Sequence, residues 1–257
     1  NLLKYYQDET AKLLGKQLII LPESAIPLPS SYLDDYLQKL HNKALAANSA
    51  LILGILQPTN ANETHYYNSI ISLGRASGTH SKRHLVPFGE YIPQPFVAIN
   101  RWLGLPEPNV LPGTHDQPLM EIANHPIASL ICYEIAYPAL LRAQMPAAEW
   151  IVSISDNGWF GRSLASYQQL QMAQMLSLTT GRYQIVVNND GLSSVINQYG
   201  AIVDGLAPFS SGILESEVFS AEGTTPCIKW ADYPSLAFCA LILIFALIRR
   251  ISSLRKK

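Results

Sequence analysis

From Tyr233 to Ile248 the chain carries no charged residue. A run of that kind is either the centre of a large core or a helix in lipid. With Trp230 included, it approaches the roughly 20 residues that a helix needs to cross a bilayer. Trp230 and Tyr233 sit at one end, where amphipathic rings favour the membrane interface, and Arg249, Arg250, Arg255, Lys256 and Lys257 crowd the other. The alternative is a buried C-terminal helix, but cations following an apolar run suit lipid headgroups better than a core. The expected organisation is a globular domain over 1–229, a transmembrane helix over 230–250 and a basic cytoplasmic tail over 251–257. The positive-inside rule then puts the globular domain on the opposite face of the membrane.

The rest of the sequence fits such a chain. Charged residues make up 14%, against about 25% in ordinary soluble proteins. A formal net charge of −1 gives no reason to expect nucleic acid. Cys132, Cys227 and Cys239 are too few and too widely spaced for a disulfide framework, and no C-x-x-C zinc motif occurs. The first residue is Asn1, followed at once by a helical pattern, which reads as a piece of a longer protein.

Short apolar runs alternate with amphipathic ones. "QLIIL" (17–21), "ALILGILQ" (50–57), "IASLICYE" (127–134), "EWIVSISD" (149–156) and "YQIVVNND" (183–190) predict strands. Leu33, Tyr36, Leu37, Leu40 and Leu45 share one face of a helix within 30–49, and 163–181 predicts another. "HYYNSIISLG" with a turn at 74–78, and "SSVINQYGAIV" with a turn at Tyr199-Gly200, predict hairpins. Strands interleaved with helices and hairpins imply a layered α/β domain with a mixed sheet. Residues 94–118 hold Phe96, Trp102, Leu103, Leu105 and Leu111 among prolines, without periodicity. They predict a long loop, either packed on its own domain or touching lipid.

Polar residues at the ends of apolar runs are the chemical candidates. Glu23 lies between Pro22 and Pro27 directly after a strand; it is a cleft carboxylate, or a solvated or capping one. Lys82 opens a stiff apolar segment that carries a second carboxylate, Glu90, and is otherwise a solvated cation. Cys132 ends an apolar run, either as a small core residue or as a nucleophile. A reactive thiol needs a base and cationic help, which Glu23 and Lys82 would supply. His80 and His84 have the i, i+4 spacing of metal ligands on a helix, but the Pro- and Gly-rich continuation disfavours a helix there. "GRSLA" (161–165) falls short of the G-x-S-x-G elbow, and no phosphate loop or dinucleotide fingerprint is present.

"PESAIP", "SKRHLVPFGEYIP", "ICYEIAYP" and "DNGWFG", in that order, resemble the nitrilase, or carbon–nitrogen hydrolase, superfamily. More narrowly they resemble its membrane-bound branch, the apolipoprotein N-acyltransferases. The resemblance implies an αββα sandwich with a Glu–Lys–Cys triad: Glu23 as general base, Lys82 as stabiliser of the tetrahedral intermediate and Cys132 as nucleophile. It also assigns supporting or substrate-binding positions to Glu90, Tyr133, Glu134 and Trp159. It implies acyl transfer from a phospholipid, through a cysteine thioester, to the N-terminal amine of a diacylglyceryl-modified apolipoprotein. No metal or organic cofactor is expected. The implied location is the bacterial inner membrane, with the catalytic domain on the periplasmic face. The alternatives are a membrane-anchored amidase or nitrilase-type hydrolase, and a non-catalytic binding module.

Overall fold

The apolar runs at 50–55, 127–131 and 150–155 are buried strands because each is covered on both faces. In β-structure successive side chains point to opposite sides, so a strand between a second sheet and a helix must be apolar throughout. The computed structural model describes residues 2–59 and 64–254. In its first half lie α1 (Leu2–Leu13), β1 (Leu18–Ile20), α2 (Asp34–Ala46), β2 (Ala50–Pro58), β3 (Tyr66–Gly74), β4 (Ala76–Ser77) and β5 (Thr79–Ser81). There follow α3 (Val97–Trp102), β6 (Met120–Ile122), β7 (His125–Ile131), α4 (Pro138–Arg142) and β8 (Trp150–Asp156). The chain continues through α5 (Ala165–Thr180), β9 (Gln184–Asn189), β10 (Ser193–Ile196), β11 (Ile202–Leu206), α6 (Pro226–Trp230) and α7 (Tyr233–Leu254).

The described strands form a four-stranded sheet, β1-β2-β3-β5, and a seven-stranded sheet, β11-β10-β9-β8-β7-β6-β4. Both are mixed: β1 runs parallel to β2, and β7, β8 and β9 are mutually parallel, while the hairpin-linked neighbours are antiparallel. β2 shows the layering in one strand. Ala50 and Ile52 point into the space between the sheets and meet Ile127, Val152 and Ile154. Leu51, Leu53 and Ile55 point outward into a cluster joined by Leu3 and Tyr6 of α1 and Leu37 and Leu40 of α2. On the far side, Leu130, Ile151 and Val186 pack with Ala173 and Leu176 of α5. The order is helices, sheet, sheet, helices: the αββα sandwich.

Both expected hairpins are present, as β3 with β5 and as β10 with β11. One connection was not legible. After Gly74, β4 leaves its own sheet and pairs with β6 of the other before β5 returns to β3. Two residues are too short to carry a pattern. Gly74 makes the excursion possible, with φ +65° and no room for a Cβ, which would lie 2.2 Å from the Ser49 carbonyl oxygen.

Residues 94–118 are not wholly irregular, since Val97–Trp102 is helical and Val110 bridges to Tyr66. Trp102 is nevertheless 83% exposed, and Phe88, Phe96, Leu103 and Leu105 are exposed around it. At the C-terminus, Trp230 closes the short α6, and a left-handed Ala231 (φ +47°) separates it from α7. Tyr233–Ile251 has a mean hydropathy of 2.0 and none of it is buried against the domain, so it is long and apolar enough to cross a membrane. That geometry disfavours the buried-helix alternative. Arg255, Lys256 and Lys257 lie outside the described residues.

One glycine brings the two halves of the sandwich to bear on a single loop. A Cβ on Gly54 would lie 2.7 Å from Glu23 Cα and 2.8 Å from Ile154 Cδ1. Gly54→Ala is expected to destabilise the domain by roughly 1–3 kcal/mol, the usual range for overpacking. Thermal melting checks this, and an unchanged Tm would mean that the 22–24 loop yields freely.

Candidate active site

Strand direction brings the chemistry together. β1 and β5 point the same way in the four-stranded sheet, and β7, β8 and β9 are parallel in the other. Their C-terminal ends meet at one end of the sandwich, where open α/β sheets commonly bind ligands. Glu23 follows β1, Lys82 follows β5 directly and Cys132 follows β7 directly.

Glu23 is 6% exposed. Its Oε1 accepts from Asn68 Nδ2 at 2.6 Å and its Oε2 from the Asp156 backbone N–H at 2.9 Å. Lys82 Nζ lies 3.6 Å from Oε1 of Glu23 and donates to Glu90 Oε1 at 2.8 Å. Asn68 Nδ2 also approaches Glu90 Oε1 at 3.3 Å, so one amide and one ammonium are shared between two carboxylates. Glu90 is held in turn by the Val86 backbone N–H at 2.8 Å. The Cys132 thiol, at the end of the neighbouring strand, lies close enough to feel the charges of Glu23, Lys82 and Glu90. Glu23, Lys82, Cys132 and Glu90 thus occupy one buried cluster.

The backbone presents the thiol. Cys132 has φ +50°, left-handed for a residue with a side chain, and such conformations persist only where the surroundings hold them. The chain passes there from β7 into a 3-10 turn over Cys132–Ala136. Glu134, fully buried, holds the turn. Its Oε2 accepts from the Ile131 N–H at 2.9 Å, and its Oε1 from the Arg83 N–H at 2.7 Å and the His84 N–H at 3.4 Å. His80 Nε2 lies 3.2 Å from Oε2. One carboxylate therefore ties the Lys82 loop to the Cys132 turn.

The remaining predicted positions differ in character. Tyr133 meets Tyr137 edge-on at 5.2 Å between centroids, and the His84 ring lies 3.6 Å from that of Tyr137. Trp159 is 89% exposed on the turn after β8. His80 and His84 do not sit on a helix and face different partners, Glu134 and Tyr137. Among the described residues no group of three His, Cys, Asp or Glu is arranged to hold a metal. Ser163 accepts from the Ala165 N–H at the start of α5. Sequence reasoning missed Asn68 and the Asp156 amide; Asn68 stands among other polar residues of β3, Ser69 and Ser72, and nothing marks it out.

The electrostatics follow from burial. Desolvation pushes the Cys132 thiol up to about 12, reinforced by Glu23 and only partly opposed by Lys82. Desolvation also raises Glu23 above the usual carboxylate range, against the pull of Lys82 and Asn68. Burial alone would lower Lys82, but Glu23, Cys132 and Glu90 outweigh it and the ammonium is held above its ordinary value. The resting site is therefore a protonated thiol beside a carboxylate of raised basicity and a fixed cation. Such a set can move the thiol proton to Glu23 as sulfur attacks a carbonyl, and can meet the developing oxyanion with a positive charge.

The sequence profile of the carbon–nitrogen hydrolases matches residues 1–224. The chain is 36% identical over 250 residues to the apolipoprotein N-acyltransferase of Azotobacter vinelandii, covering 95% of this chain and 48% of that one. It thus spans about half the length of the N-acyltransferase relatives it matches. Among solved structures, a carbon–nitrogen hydrolase from Helicobacter pylori G27 superposes with a TM-score of 0.62 at 15% identity, over 80% of this chain and 81% of that one. A mutant amidase from Nesterenkonia sp. AN1, with an acetamide moiety added covalently at its active-site cysteine, superposes at 0.59 with 14% identity, over 80% and 81%. At those identities the likeness is one of fold.

Two buried carboxylates have opposite effects on stability. Burial alone would raise Glu134, but His80 and the backbone N–H groups of Arg83 and Ile131 outweigh it, so its folded value falls below the ordinary 4.5. Its stabilisation is present above that value and is lost as pH falls through the lower folded one. Glu134→Gln leaves donors facing an NH2 group and is expected to lose about 1–3 kcal/mol near neutral pH, a gap that narrows on acidification. Glu23 is raised, so its ionised form opposes folding above 4.5, and Glu23→Gln is expected to leave Tm unchanged or higher. Melting of both variants across pH checks the pair; a lower Tm for Glu23→Gln would contradict the assigned sign.

Proposed function

Because the chain belongs to the carbon–nitrogen hydrolase family, with residues 1–224 matched, we propose that Glu23, Lys82 and Cys132 are its catalytic triad and that it transfers acyl groups. The observation that carries the reading is the buried Glu23–Lys82 pair, 3.6 Å apart at the strand ends, with the buried Cys132 thiol within reach of both charges. Glu23 takes the thiol proton as Cys132 sulfur attacks an ester carbonyl of a phospholipid. Lys82 stabilises the oxyanion, with Glu90 fixing the ammonium through its 2.8 Å bond. The ester C–O bond breaks, the leaving alkoxide receives the proton from Glu23, and a thioester remains on Cys132.

In the second half the α-amino group of a diacylglyceryl-cysteine attacks the thioester. Its proton passes through Glu23 to the departing thiolate, an amide forms and the thiol is restored. Two displacements through a covalent intermediate replace one difficult transfer. The name of the Azotobacter vinelandii relative supports the lipoprotein acceptor, and the apolar α7 supports a membrane setting. The proposed location is the inner membrane, with the site on the periplasmic face and the basic end of α7 in the cytoplasm. Tyr133, Glu134 and Trp159 are proposed as supporting residues, of which Trp159 has the exposure a substrate contact requires.

The test is to trap the intermediate in the full-length protein. Incubation with phospholipid should leave an acyl group on Cys132, seen by mass spectrometry, that persists in water and is discharged by an amine acceptor. Rapid discharge by water would identify a hydrolase, and no adduct would identify a binding module. Cys132→Ser is expected to abolish turnover with little change in Tm, because a hydroxyl is a far poorer nucleophile beside a carboxylate base. Unfolding of that variant would instead make Cys132 a packing residue.

The exposed apolar patch yields a second expectation. Trp102, Leu103 and Leu105 lie 83%, 55% and 52% exposed, and each would gain roughly 1.5–3 kcal/mol on full burial. A bilayer or bound lipid would supply that burial. Trp102→Ser with Leu103→Ser is expected to slow turnover of a phospholipid donor while sparing a small water-soluble thioester donor. Equal loss with both donors would mean that the segment only supports the fold.

A further inference from the structure

The loop that carries Glu23 has little regular structure of its own. Ser24, the next residue, has φ +55°, a left-handed conformation that non-glycine residues hold only under external constraint. The constraint comes from the opposite sheet. The Asp156 N–H at the end of β8 grips the carboxylate at 2.9 Å. Beside it, Asn189 at the end of β9 donates from Nδ2 to the Glu23 backbone carbonyl at 2.6 Å. Asp156 and Asn189 are register partners, and the Asn157 N–H donates to the Asn189 carbonyl at 2.9 Å, so the two grips form one unit.

A side-chain amide has two unlike ends, and its neighbours decide which way it faces. At Asn189 the Tyr6 hydroxyl donates to Oδ1 at 2.5 Å. The Glu23 carbonyl can only accept, so it takes Nδ2, and Oδ1 is left to accept from the Tyr6 hydroxyl. The reverse orientation would set Oδ1 against a carbonyl oxygen. Tyr6 comes from α1 and packs in the cluster between α1 and β2. Burial, with Tyr5, Asp156 and Asp190 nearby, pushes its phenol well above the ordinary range, so it remains a donor.

We propose that Asn189 is a positioning residue that fixes the Glu23 carboxylate against the Cys132 thiol, with its own side chain braced by Tyr6 of α1. The proposal rests on the reading of Glu23 as general base. It makes α1 a support of the site although, among the described residues, none of its side chains hydrogen-bonds to Cys132. It also gives β9 a role that no motif in the sequence announces.

The experiment measures alkylation of Cys132 by iodoacetamide in the full-length protein across pH, with the Cys132 peptide followed by mass spectrometry. Glu23 drives this reaction by taking the thiol proton as sulfur displaces iodide. Asn189→Ala is expected to slow it about tenfold near neutral pH, since displacements on the order of 1 Å cost up to about 100-fold. Tyr6→Phe keeps the ring in its packing and should slow it in the same direction by less. In a Glu23→Gln background, Asn189→Ala should change the rate by less than about twofold, because the partner through which it acts is gone. Proportional slowing in both backgrounds would make Asn189 a structural staple, and no slowing in either would remove its role altogether; both leave the reading of Glu23 intact. An unchanged rate for Glu23→Gln alone would overturn the general base and this proposal with it.

Discussion

The Glu134 carboxylate is the contact on which the geometry of the site depends. It stands fully buried between two segments that share no strand, and it accepts backbone N–H groups from both: Ile131 on one side, Arg83 and His84 on the other. A carboxylate can accept several such bonds at once, and charge-assisted bonds are about twice as strong as neutral ones. Remove that acceptor and two consequences follow together. The left-handed turn at Cys132 loses the tie that follows its strand, and Lys82 loses the anchor one residue beyond it. The thiol and the ammonium are then no longer fixed relative to each other, although neither touches Glu134.

The cluster in front of that anchor is close to a balance of opposing charges. Lys82 stands between Glu23 and Glu90, at 3.6 and 2.8 Å, with side chains largely withdrawn from water. Buried ion pairs of this kind seldom add net stability, because desolvation offsets the attraction. Their retention makes sense for chemistry. Burial, reinforced by Glu23 and Glu90 around a single ammonium, holds the thiol proton on sulfur at rest, and burial raises the basicity of Glu23 against the pull of Lys82. In the proposed reaction, when a carbonyl is attacked and the proton moves to Glu23, the ammonium would face a new anion with one competitor fewer. The same charges that discourage an idle thiolate favour the tetrahedral intermediate.

Sequence reading reached the layers and missed their partition. Strands such as 50–58 were legible because burial on both faces leaves an unbroken apolar run, and α5 because Leu170, Ala173 and Leu176 repeat at helical spacing. Which strand joins which sheet was not legible. β4 is two residues long and owes its place to one glycine without room for a side chain. At the site, the residues of the resembled motifs were legible by type, but not what holds them. Asn68 and Asn189 are ordinary strand amides by sequence, and their significance lies in bonds to Glu23, 45 and 166 residues away in the chain. The left-handed backbone at Cys132 was equally hidden, since nothing in "LICYE" requires it; long-range bonds to Glu134 do.

The charged cluster and the exposed apolar patch impose different demands on the same domain. The cluster of Glu23, Lys82 and Cys132 excludes water from its charges, while the Val97–Trp102 segment and its flanks leave Trp102, Leu103 and Leu105 in contact with water. Exposed large side chains grouped in one patch mark a surface meant to meet another apolar one. α7 meets the same criterion, being apolar and unburied along Tyr233–Ile251. A bilayer would satisfy both with one partner, provided that α7 and the patch can engage it together. Phe88 links the patch to the chemistry. Its ring meets Phe96 edge-on at 5.2 Å, its backbone is left-handed at φ +64°, and it stands two residues from Glu90, which bonds Lys82. The segment from Phe88 to Glu90, pinned at Val86, is thus a short covalent link between the patch and the carboxylate that holds the ammonium.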